Sequence, residues 1–120
     1  MTRDAALIWC PFASVEDARN IAETLLAERL VACANVVPTL HSTFLWKGTI
    51  DRAEEAGVLF KTLPNRLEAA MDRIAQLHPY EEPALSGWCV RASAGTVRWL
   101  EEELAGQRSS SETPGPGSAT

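Results

Sequence analysis

Two stretches of helical periodicity, each flanked by strand-like runs, restrict this chain to very few folds. Val15, Ala18, Ile21, Ala22, Leu25, Leu26 and Leu30 recur at the spacing that lines one face of a helix. The pattern predicts a helix over residues 15–31, and Ser14 with Asp17 gives it a start like a capping box. Leu67, Ala70, Met71, Ile74 and Leu77 repeat the pattern further on. Pro64 sits there at a first turn, where a missing N–H is tolerated, and Pro79 closes the segment. Between the helices, Val31 to Val37 reads as a strand stopped by Pro38, and Thr39 to Trp46 continues in extended form. Lys47-Gly48 then signals a hairpin turn into a strand over residues 49–62, with Val58-Leu59-Phe60 as its buried part. Residues 5–12 read as a first strand and residues 84–91 as a fourth. Ser93 caps a short third helix carrying Val97, Leu100 and Leu104.

The order β-α-β-β-α-β, plus the short C-terminal helix, predicts an α+β fold of the ferredoxin-like split βαβ kind with an antiparallel sheet. One domain over residues 1–105 accommodates it. From Gly106 the chain has no large apolar side chain and is rich in Ser, Gly and Pro. That composition cannot offset its own ordering entropy, so residues 106–120 are expected to be a disordered tail.

The order has a consequence for assembly. Two helices cover one face of a four-stranded sheet, and the other face should then turn polar. It does not: Leu7 and Trp9 are apolar, as are Ile8 and Cys10 on the opposite side, and Leu59 is apolar between Val58 and Phe60. Large uncovered apolar faces are unusual in monomers, so burial against another subunit is the economical reading.

Charge and cysteine usage narrow the function. A net charge of -5 disfavours nucleic acid and anionic membranes, which call for a basic surface. No apolar run approaches a membrane span, and the apolar run near the N-terminus lacks a cleavage site and reads as a strand. Three cysteines without close spacing argue for free thiols in a reducing cytoplasm. The sequence holds no nucleophile triad, phosphate-binding glycine loop or CxxC pair, so no enzyme chemistry is predicted.

His78-Pro79-Tyr80-Glu81-Glu82-Pro83 stands out as a stiff connector, since its prolines forbid helix and it carries an imidazole, a phenol and two carboxylates. Glu81 and Glu82 are neighbours on an extended segment and point opposite ways, which makes them a poor acid/base couple. Trp46 reads as a packing anchor at the hairpin, with ligand stacking the less favoured role. Tyr80 reads as a part-buried phenol with a backbone partner. Arg29 suits the carbonyls at the end of the first helix, and His41 a strand surface.

Three stretches together resemble the CutA divalent-cation tolerance proteins. They are Glu28-Arg29-Leu30-Val31-Ala32-Cys33-Ala34-Asn35-Val36, Phe44-Leu45-Trp46-Lys47-Gly48-Thr49-Ile50 and His78-Pro79-Tyr80-Glu81. The likeness spans residues 6–104 and departs from the family pattern at Glu82, at Ala84 and at Asp51-Arg52-Ala53. It implies a ferredoxin-like subunit in a tight homotrimer and a role in tolerance of copper and other divalent metals. Thiolate and imidazole suit copper and zinc, so Cys10, Cys33 and His78 are the candidate metal ligands. For each cysteine singly, burial as a small hydrophobe is the stronger expectation. Strand order places Cys10 and Cys33 at opposite ends of the sheet and Cys10 beside the His78–Glu82 segment. A Cys10/His78 pair, or a site completed across a subunit boundary, is the expected arrangement. Tyr80, Glu81 and Trp46 are the candidate pocket residues. A PII-like signalling or scaffold trimer binding a small ligand between subunits is the alternative, as is a trimer with no ligand at all.

Overall fold

The computed structural model describes residues 4–105. The predicted tail from Gly106 lies outside the described residues. Four strands and three α-helices follow the expected order: β1 (Ala5–Phe12), α1 (Val15–Ala27), β2 (Cys33–Trp46), β3 (Thr49–Thr62), α2 (Leu67–Leu77), β4 (Ser86–Val90) and α3 (Ala94–Glu103). A single 3-10 turn, Pro64–Arg66, leads into α2. The sheet order is β2-β3-β1-β4, and all three neighbouring pairs are antiparallel.

Local chemistry explains the boundaries. Ser14 accepts a hydrogen bond from the Asp17 amide at the start of α1, and Ser93 does the same for Thr96 at α3. The first helix ends at Ala27, four residues short of the predicted 31. Its apolar spacing runs on through Leu30, but Arg29 turns left-handed at φ 60. The Leu30 amide then bonds Leu25 O and the Arg29 amide bonds Leu26 O, the paired bonds of a Schellman motif. The Arg29 guanidinium donates to the Leu26 carbonyl at 2.9 Å, as its position suggested. Arg73 of α2 forks onto Glu28 just beyond α1, at 2.8 and 2.9 Å, and ties the two helices together.

Pro38 does not stop the second strand. The ladder shifts register between Val37 and Leu40 and then resumes. A proline has no ladder proton to give, so the chain bulges around it rather than ending. Lys47 and Gly48 both have positive φ, 51 and 81, which is the two-residue turn that suits the twist of a hairpin.

Ile8, Cys10, Phe12, Val58 and Phe60 line the covered face of the sheet and form one core with Ala18, Ile21, Ala22 and Leu25 of α1 and Ala70 and Ile74 of α2. The residues between them, Leu7, Trp9, Leu59 and Trp88, lie on the other face by strand alternation. Trp9 lies across Gly57, where a Cβ would collide with its ring and come within 2.8 Å of Leu40. Leu100 and Leu104 bury one side of α3, and the Arg66 guanidinium donates to the Leu104 carbonyl.

The strands are unequal. β1 pairs with β3 only from Ala56 to Thr62, so Leu40–Trp46 and Thr49–Glu55 continue as a two-stranded arm. Fourteen residues of strand span about 46 Å, which matches the 48 Å longest dimension of the domain. Gly48→Ala is expected to destabilise the fold by about 1–2 kcal/mol, because alanine disfavours the left-handed region. Denaturant unfolding at fixed protein concentration measures it.

Candidate functional site

The connector between α2 and β4 crosses the end of β1 and is fixed there by His78. Pro79 forces its predecessor out of the helical region, and His78 accordingly has φ -67 and ψ 135. The imidazole turns inward, 7% exposed. Nε2 donates to the Pro11 carbonyl at 2.9 Å, since a carbonyl can only accept. Nδ1 accepts the Tyr80 amide proton at 3.1 Å. The ring stacks on Phe12 at 4.5 Å and 16° and meets the Tyr80 ring at 4.7 Å. One neutral tautomer thus satisfies both nitrogens and sets the course of the following residues.

Tyr80 reaches the arm. Its hydroxyl donates to Glu55 Oε2 at 3.0 Å, a carboxylate partner in place of the expected backbone group. Burial first, then the hydrogen bond to Glu55 and that carboxylate's charge, pushes the phenol up to about 12. Cys10 lies beneath, fully buried. Burial, with a smaller push from Glu55, raises its thiol to about 12. Its Sγ makes only a long contact to the Pro11 carbonyl, 3.6 Å, the same oxygen that holds His78.

Arm and connector enclose a groove of about 740 Å³. Asp51, Ala53 and Glu55 of β3 alternate along one wall, joined by Ser42, Phe44 and Trp46 of β2. Tyr80, Glu81, Glu82 and Ala84 form the other, and Pro11 lies between; the connector bends here, so Glu81 and Glu82 share the groove and do not diverge as neighbours on an extended segment would. Among the described residues, no Lys, Arg or His lines it. Trp46, read from sequence as a packing anchor, is 61% exposed in the subunit.

The three sequence-predicted ligands are not brought together. Cys33 pairs with Lys61, whose partner on β1 is Leu7. It therefore stands on the face opposite Cys10, two strands away and three residues along, at roughly 14 Å. His78 does adjoin the end of β1, as strand order suggested, but both of its nitrogens are engaged. Cys10 is a closed, protonated core thiol, and all three cysteines are free. Among the described residues no group of three His, Cys, Asp or Glu side chains could hold a metal ion. As they stand, these donors do not fit one ion within one subunit. His41 is an exposed strand residue 3.9 Å from Glu54. Sequence reading missed Phe44, Asp51 and Glu55, although a two-residue turn at Lys47-Gly48 fixes which residues face each other. Counting outward from it places Phe44 opposite Asp51 and Ser42 opposite Ala53.

The fold and groove describe a small α+β protein with an acidic, aromatic cleft. The model of the CutA1 divalent ion tolerance protein family matches residues 6–103, and the chain belongs to that family. It is 39% identical over 100 residues to the divalent-cation tolerance protein CutA of Thermus thermophilus, covering 82% of this chain and 95% of that one. The corresponding protein of Pyrococcus horikoshii is 36% identical over 103 residues, covering 81% and 95%. Among solved structures, the periplasmic divalent cation tolerance protein CutA of Archaeoglobus fulgidus superposes with a TM-score of 0.79 at 28% identity, covering 83% of this chain and 98% of that one.

The buried thiol gives stability a pH dependence. The unfolded chain releases the Cys10 proton near about pH 8.5, whereas the folded chain holds it until about 12. Between those values the unfolded state binds fewer protons, so stability falls as pH rises. Tyr80 adds a decline of the same sign above its ordinary value of about 10. Denaturation midpoints from pH 8 upward should drop in the wild type, and in Cys10→Ala the decline should begin only near pH 10. Parallel curves would show that the thiol does not set the slope.

Proposed function

We propose that this CutA-family chain works in the cytosol as a homotrimer of ferredoxin-like subunits, with a part in tolerance of copper and other divalent cations. The sheet order β2-β3-β1-β4 supports the ferredoxin-like reading. The observation that carries the assembly is apolar surface that the subunit covers only in part, Leu7, Trp9 and Leu59 being half-buried. Leu7, Trp9, Leu59 and Trp88 share the face away from α1 and α2, and Trp88 is 43% exposed. The arm adds Leu45 and Ile50, 73% and 69% exposed. A two-stranded ribbon is marginal alone in water, so apolar residues on both sides of one call for neighbours. Three free cysteines suit a reducing compartment.

Cations bind this protein as exchangeable ligands, not as a resident cofactor, and the reading assigns it no catalytic step. A tight thiolate site would need Cys10 to deprotonate inside the core and His78 to release the Pro11 carbonyl. The acidic groove offers cations accessible carboxylates instead. The PII-like alternative gains no support, since an acidic cleft repels phosphate groups and the relatives named above are cation tolerance proteins.

Analytical ultracentrifugation at micromolar concentration tests the assembly. The wild type should sediment near three times the 13.1 kDa chain mass, and Trp88→Glu should shift it toward the single chain. A monomeric wild type removes the reading. Copper titration against a competing chelator tests the ligands. Cys10→Ala and His78→Ala should retain wild-type affinity to within about threefold, a change smaller than the loss of one good interaction. A loss of tenfold or more in either variant would return the pair to the metal.

A further inference from the structure

We propose that His78 is an acid-released latch: a second proton on its imidazole detaches the connector from the end of β1. The inference goes beyond the metal reading and does not rest on it. Every partner it uses belongs to one subunit, so it does not depend on the assembly.

The connector is attached at one residue. Among the described residues, positions 79–85 make two hydrogen bonds, and both run through Tyr80. The Tyr80 amide donates to His78 Nδ1 at 3.1 Å, and the hydroxyl donates to Glu55 at 3.0 Å. The first of these bonds needs a bare ring nitrogen. His78 offers one because Nε2 carries the ring proton and donates it to the Pro11 carbonyl at 2.9 Å. A proton added at Nδ1 would set one donor against another, and the Tyr80 amide would lose its acceptor.

The ring is not free to turn and find that proton another partner. It is buried and stacked on Phe12 at 4.5 Å and 16°. Its own backbone amide is tied to the Ile74 carbonyl at 2.8 Å, at the end of α2. Phe12 and Ile74 belong to the core, so the part that yields is the connector.

The charges around this corner favour the released state. Cys10 of β1 is a neutral thiol, since burial and then Glu55 raise it to about 12. After burial, Glu55 of β3 and Asp17 of α1 help to raise the Tyr80 phenol, which places both carboxylates near the latch. Glu81 and Glu82 follow on the connector itself, and Arg73 of α2 is already paired with Glu28. An imidazolium gains from carboxylates that it can reach. In the closed arrangement both ring nitrogens are spent on backbone groups, so that gain comes only with release. Acid therefore opens the latch, near the pH of about 6.5 at which an ordinary imidazole charges.

Tyr80 is the sole tyrosine of the chain, so full-length protein carrying 3-fluorotyrosine gives one fluorine resonance that reports this corner. Between about pH 8 and about pH 5, a range that brackets the ordinary imidazole, that resonance should move in one step while far-ultraviolet circular dichroism stays constant. Protection of the Tyr80 amide against hydrogen exchange, corrected for the intrinsic rate at each pH, should fall about tenfold, the equivalent of one hydrogen bond. His78→Gln, which keeps a donor for Pro11 and does not titrate, should abolish both changes. Two-bond proton–nitrogen spectra of the wild type decide the matter even where that variant fails to fold: the His78 Nδ1 signal should pass from bare to protonated across the same step. His41→Gln, at an exposed strand position, tells the signals of the two histidines apart and should leave the step intact. A resonance that stays still, an Nδ1 that stays bare, or a step that survives in His78→Gln overturns the proposal. A step that coincides with loss of secondary structure also overturns it, because the event would then be acid unfolding of the whole domain.

Discussion

A mismatch of strand lengths governs this molecule. β2 and β3 are each 14 residues long, and the strand they would lean on, β1, has 8. Half of the hairpin is therefore sheet with a helix-covered face, and half is a free ribbon. The covered half obeys ordinary core logic: Cys10, Val58 and Phe60 are fully buried against α1 and α2. The free half keeps apolar residues, Leu45, Trp46 and Ile50, that stay exposed among the described residues. The groove exists because the arm overshoots β1 and leaves space beside the connector. The same overshoot leaves the arm dependent on what surrounds it.

His78 makes that space definite. Without an anchor, the residues between α2 and β4 would be an ordinary surface loop. The imidazole uses both nitrogens on backbone partners and one face on Phe12. Tyr80 is consequently held where its hydroxyl meets Glu55 across the groove. In the sequence the histidine looks like a ligand because imidazole suits copper and zinc. In the fold it is a bracket that positions Tyr80, two residues further on. Pro11 completes the arrangement from the other side. It cannot donate to a ladder, and its carbonyl accepts the hydrogen bond that His78 Nε2 donates.

The sequence showed the element order because periodicity and proline placement are local signals. Where local and tertiary preferences diverged, the reading slipped. Leu30 kept helical spacing after the helix had ended, since its side chain still packs against the core once the Schellman turn has redirected the chain. Pro38 looked like a stop, but a register shift absorbs it. The separation of Cys10 from Cys33 could be argued from strand order alone, and alternation then put them on opposite faces. The groove was only partly legible. Tyr80, Glu81 and Trp46 stood out as unusual residues, whereas Asp51 and Glu55 looked like ordinary charges on a solvated strand. Their meaning depends on the connector, which lies over the arm only because a distant imidazole holds it there.

The charge distribution bears on how the two surfaces divide their work. Carboxylates brought into a closed subunit interface without partners would cost several kcal/mol each, so Asp51, Glu81 and Glu82 disfavour burying the groove against an apolar neighbour. The face of Leu7, Trp9 and Leu59 carries no such cost. A chain with both surfaces associates most favourably through the apolar one and leaves the acidic one at the boundary, open to cations. Tyr80 stands where the two demands meet, with its ring against His78 and its hydroxyl on the innermost carboxylate. Through that bond Glu55 is kept partnered even when the groove is empty of ligand, while the outer carboxylates face water. The groove thus has a satisfied inner end and a charged outer rim.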